Sequence, residues 1–108
     1  MNNTTKTETF KDRYERLEWL LNLLHHKIGK VYDMQVLAEQ DPQRRKDMES
    51  YKALGNEVGN QMGIVWTLHE LYRAKTDEEL DNIQKVYEAY QNKTDQDEDR
   101  VMRELKWL

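Results

Sequence analysis

Cysteine is missing from this sequence altogether. Its absence excludes a disulfide framework, a Cys-ligated zinc site and a thiol nucleophile. There is one proline and there are four glycines in 108 residues. Long hydrophobic runs are absent too. None approaches the roughly 20 apolar residues that a membrane span needs, so no membrane association is expected. The start, Met1-Asn2-Asn3-Thr4-Thr5, leads into charged residues without an apolar h-region. It does not read as a secretory signal, and a cytoplasmic location is expected.

Charge is abundant. Charged residues make up 35% of the chain and apolar ones 37%, with a mean hydropathy of -1.09. Such a chain suits long amphipathic helices that bury a narrow seam, or an oligomer that supplies further burial. The net charge of -4 is unevenly placed. The first 75 residues hold 12 basic and 11 acidic side chains. From Thr76 to Asp99, nine acidic residues face only Lys85 and Lys93. An acidic stretch is a poor match for nucleic-acid phosphates and a better one for a basic protein surface. Direct nucleic-acid binding is therefore not expected.

Apolar periodicity predicts an all-α fold. Phe10, Tyr14, Leu17, Leu21, Leu24, Ile28, Val31, Gln35 and Ala38 recur at spacings of four and three, a sustained heptad seam. A first helix is expected over about 7–39, with Thr5 or Thr7 as its cap, after a flexible N-terminus at 1–6. Asp41-Pro42 supplies a break, an N-cap and a proline suited to a first helical position. The second helix is expected over about 42–75. Its apolar arc reads as Met48, Tyr51, Leu54, Val58, Met62, Val65, Leu68 and Tyr72, with a buried or half-buried His69. Together they predict a long antiparallel hairpin. Thr76-Asp77-Glu78-Glu79 is a capping box. It opens a third helix with the stripe Leu80, Ile83, Tyr87 and Tyr90, expected to end near Gln91 or Asn92. Thr94-Asp95 then restarts a short fourth helix carrying Val101, Leu105 and Leu108. The whole of 1–108 reads as one bundle-like helical domain, the hairpin packed with two shorter C-terminal helices.

Two features point to contact surfaces. Gly55, Gly59 and Gly63 form a row at i, i+4 and i+8 in the second helix. Three glycines there cost up to about 3 kcal/mol relative to alanines, so close packing within or between chains is expected to offset them. A kink is the alternative. On the first helix, Trp19, Leu23, Met34 and Leu37 fall off the main seam. The C-terminal helices are expected to cover them; otherwise they form a contact patch. Trp19, Trp66 and Trp107 are natural anchors.

Catalytic and metal motifs are weak. His25 and His26 are adjacent and point about 100° apart on a helix. His69-Glu70 lacks a second histidine four residues on. No cofactor, catalytic residue or metal ligand is assigned. Arg13 and Lys27 in a long first helix, followed by Arg44-Arg45, give the first half a layout similar to small all-helical chorismate mutases. That likeness implies an enzyme whose basic side chains hold a dicarboxylate. Any small helical enzyme here would need polar groups such as Arg13, Lys27 and His69 to converge in a pocket between helices. The short, acidic, Cys-free helical chain is also similar in type to phage and mobile-element proteins, including anti-CRISPR inhibitors of bacterial defence, and in size to helical bacteriocin immunity proteins.

The leading expectation is a non-enzymatic interaction protein of the inhibitor or adaptor kind. Its acidic surface, with Asp95, Asp97, Glu98 and Asp99, would meet a protein partner with a basic patch. A homodimer built on the glycine row or the Trp19 side is the second expectation. A small helical enzyme is the third.

Overall fold

The computed structural model describes residues 9–38 and 48–106. Within them the chain is all-helical: α1 (Phe10–Ala38), α2 (Met48–Arg73) and α3 (Asp77–Lys106). The expected N-terminal segment 1–6, the Asp41-Pro42 turn, Arg44-Arg45-Lys46, Trp107 and Leu108 lie outside the described residues.

α1 buries the seam that its sequence spacing predicts: Leu17, Leu21, Leu24, Ile28, Val31, Gln35 and Ala38, with Phe10 and Tyr14 packed at the end of the core. Its start differs. Thr9 is the cap, its Oγ1 accepting from the Asp12 backbone N–H at 3.1 Å. That satisfies an amide with no partner inside the helix. The capping box of α3 forms as expected. Thr76 Oγ1 accepts from Glu79 N–H at 3.2 Å, and Glu79 Oε1 accepts from Thr76 N–H at 3.1 Å. The same carboxylate oxygen also accepts from Lys75 N–H, and these hydrogen bonds hold Glu79 below its ordinary value.

Two expectations about the helices need correction. The predicted break at 92–94 is absent, and one 30-residue helix replaces the two short ones. Its buried positions run Leu80, Ile83, Tyr87, Thr94, Asp97 and Val101, with Tyr90 half-buried. The heptad passes through Thr94 and Asp97, which occupy core positions rather than capping a new start. In α2 the predicted apolar arc faces outward from Val58 onward, and the side chains of Met48, Tyr51 and Leu54 lie outside the described residues. The buried positions are Glu57, Asn60, Ile64, Thr67, Leu71 and Ala74, again at spacings of three and four. Val58, Met62, Val65 and Tyr72 are exposed, and Leu68 is half-buried.

The helices run up, down and up. Arg13 near the start of α1 pairs with Asp77 and Asp81 at the start of α3, and Lys27 pairs with Asp95 further along both. Going back along α2, Gly63 meets Tyr90 and Asn60 meets Asp97. The bundle is a rod, 54 × 31 × 15 Å, with a radius of gyration of 17.1 Å. A compact domain of this length would have one near 13 Å. Long helices side by side leave a thin core and much side surface.

Candidate functional site

Three regions bear on function: a polar layer inside the bundle, the acidic side of α3, and the outward face of α2.

The polar layer lies between Gln35 of α1, Glu57 and Asn60 of α2, and Thr94, Asp97 and Arg100 of α3. Arg100 Nη1 donates to Asp97 Oδ1 at 3.0 Å, and its Nη2 donates to Gln35 Oε1 at 3.2 Å. Asn60 Nδ2 donates to Asp97 Oδ2 at 3.4 Å. Both Asp97 oxygens thereby have partners. Glu57 is different. It is 0% exposed, and neither carboxyl oxygen has a hydrogen-bond partner. Burial, reinforced by the Asp97 carboxylate, pushes it up to about 8, so it is held neutral at pH 7. The layer combines a neutral acid with a carboxylate, the pairing seen in proton-transfer sites. Its members, however, are enclosed by the helices. The open grooves on the surface have other linings, as at Glu70, Asn82 and Val86, or at His25, Lys30 and Asp33.

The acidic side of α3 is largely engaged inside the molecule. Asp95 and Glu98 both pair with Lys27, Nζ to Glu98 Oε1 being 3.5 Å. The hydrogen bond that Lys27 Nζ donates to Asp95, foremost, holds the ammonium above its ordinary value. Asp97 is buried against Arg100. Asp77 and Asp81 pair with Arg13, and Asp81's hydrogen bond is the main cause of that guanidinium's raised value. Of the four carboxylates expected to form a contact surface, Asp99 alone is fully exposed. The acidity of α3 therefore meets the basic residues of α1, a match that α3's own sequence does not disclose.

The glycine row divides. A Cβ on Gly63 would collide with the ring and hydroxyl of Tyr90, so this glycine is an intramolecular close approach. Gly55 and Gly59 have open space where a Cβ would be. Packing inside the chain does not account for them. They lie on the same outward face as Val58, Met62, Val65, Trp66 and Tyr72. Trp66 is 65% exposed and Met62 55%. His69 is exposed too, correcting its expected burial, and its ring is tilted against Trp66 with centroids 6.2 Å apart. From Gly55 to His69 this face carries no charged residue.

α1 keeps a smaller apolar surface. Trp19 is 62% exposed and Leu23 is exposed beside it. α3 does not cover them as expected. They border a shallow open groove of ≈ 220 Å³ shared with Lys27, Tyr87 and Gln91.

Arg13, Lys27 and His69, the trio that a chorismate-mutase-like layout implies, each engage different neighbours: Asp77 and Asp81, Asp95 and Glu98, and Trp66. Among the described residues no group of three His, Asp or Glu could hold a metal ion, and no helix is long and apolar enough to cross a membrane. No protein-family model matches the chain, and the searches of curated proteins and of solved structures returned no match.

Proposed function

We propose that this is a non-enzymatic helical interaction module of the adaptor or inhibitor kind, and that it docks protein through the outward face of α2. One observation carries the reading: α2 turns its polar heptad, Glu57, Asn60 and Thr67 included, into the bundle and leaves Val58, Met62, Val65, Trp66 and Tyr72 in solvent. Folding normally buries the more apolar side of a helix, since each square ångström of apolar surface removed from water is worth about 25 cal/mol. A helix oriented the other way leaves its larger apolar area for a contact outside the chain. Trp66 is the natural anchor, because tryptophan is enriched where binding energy concentrates.

The acidic segment takes a secondary part in this reading. Its carboxylates orient α3 against α1, and Asp99 with Glu88 remains as a solvated flank. Affinity capture from the native host separates the two surfaces. A Met62→Glu/Trp66→Glu variant should lose the partners held by the unmodified chain. A Glu88→Lys/Asp99→Lys variant should keep them. Equal capture by the α2 variant, with its helical content unchanged, would overturn the reading.

A further inference from the structure

The α2 face has a shape that names its own occupant. It is a heptad stripe in its own right: Gly55, Val58 and Gly59, Met62, Val65 and Trp66, His69, Tyr72. Positions 55, 62 and 69 are seven apart, as in a helix that packs along another helix. The stripe is also graded. Its N-terminal half holds the two glycines with open space above them, and its C-terminal half holds Trp66, His69 and Tyr72. One half is a notch and the other a ridge.

We infer that the occupant is a second copy of this chain, its α2 packed antiparallel about a two-fold axis at Met62. This rests on the reading of the α2 face as a docking surface and supplies the partner. Counting outward from Met62, the antiparallel register sets Trp66 beside the partner's Gly59 and His69 over the partner's Gly55. Each ridge enters the other copy's notch. A two-fold interface requires this self-complementarity, because the same patch serves both copies. A parallel pairing would set ridge on ridge and notch on notch. The centre of the paired stripe, from Gly55 to His69, is uncharged.

The five large side chains expose on the order of 500 Å² per copy, so their full burial in a symmetric pair removes about 1,000 Å², the size of a weak, reversible interface. The glycines let the two helix backbones approach, which offsets their cost to α2 where packing within the chain does not.

The absence of cysteine makes the test clean. Sedimentation from low to high micromolar concentration should show a species of twice 13.1 kDa. A Met62→Cys variant, treated with a short bis-maleimide, should crosslink into a covalent dimer. A Trp19→Cys variant, on the α1 face, should not. A Cβ at Gly59 has nothing within 4 Å among the described residues, so Gly59→Leu should fold and yet weaken association on the order of 10-fold or more. A single 13.1 kDa species across the range overturns the second-copy assignment. So does crosslinking at Trp19→Cys in place of Met62→Cys. In either case, capture of another protein that Met62→Glu/Trp66→Glu abolishes leaves the docking face standing. If that variant alters neither capture nor self-association, the docking face falls as well.

Discussion

Glu57 is the residue that the fold places most at odds with its chemistry. Its carboxyl is buried among the three helices, with Asp97, Arg100 and Lys93 of α3 as the nearby charges and Asn60 and Gln35 as polar neighbours. In the unfolded chain it titrates at the ordinary 4.5, and in the folded chain at about 8. Between those values the folded protein holds a proton that the unfolded chain has released. This group's contribution to stability is therefore greatest below about pH 4.5, declines as pH rises, and levels off above about pH 8. Glu57→Gln, neutral throughout, removes that decline. Urea denaturation should show the native chain losing on the order of 3–4 kcal/mol relative to the variant between pH 5 and pH 8. Parallel pH profiles for the two chains would contradict this. Sequence patterning does not single this residue out, because Glu is almost never fully buried.

α1 was legible because its seam is apolar at nearly every buried position, and hydrophobic periodicity is the strongest signal a single sequence carries. The capping box of α3 was legible for a different reason. It is local, and Thr76 with Glu79 satisfies backbone amides wherever the helix packs. The break expected after residue 92 of α3 and the inward face expected of α2 failed through one cause. Polar residues hold heptad positions there: Thr94 and Asp97 in α3, and Glu57, Asn60 and Thr67 in α2. Polarity at those positions hides the 3.5-residue period and lets the more apolar opposite face of α2 pass for the core. The glycine row of α2 gives a direct check. Gly59→Ala should raise stability by about 1 kcal/mol, since open space receives the methyl group and alanine is the better helix former. Gly63→Ala should lower it by about 1–3 kcal/mol, because Tyr90 must be displaced from its site. Thermal unfolding of the two variants at low protein concentration reads the contrast directly, and shifts of the same sign would refute it.

At the scale of the whole molecule, the low apolar fraction and the rod shape have one explanation. Three long helices side by side bury narrow seams, and their remaining surface stays in water. The acidity of α3 is opposed by Arg13 and Lys27 of α1, at pairs that fix the parallel alignment of these two helices. Exposed pairs of this kind are worth about 1 kcal/mol or less each, so they set alignment more than stability. Burial beyond the monomer contributes the rest of the stability if α2 pairs with a second copy. The unfolding temperature should then rise with protein concentration, and for Met62→Glu/Trp66→Glu it should not. Scanning calorimetry over a wide concentration range measures this, and a constant midpoint for the unmodified chain would exclude dimer-linked stability. By itself the sequence determined the helical class, the seam of α1, the capping box and the lack of cysteine chemistry. Each depends on neighbours close along one helix. Only the tertiary structure decided which face of α2 turns inward, which glycine is packed and which acids are engaged. Those outcomes depend on residues 27 to 68 positions apart meeting across the bundle, as Arg13 meets Asp81, Gly63 meets Tyr90 and Asn60 meets Asp97. The energy of such meetings is not written in the period of any single helix.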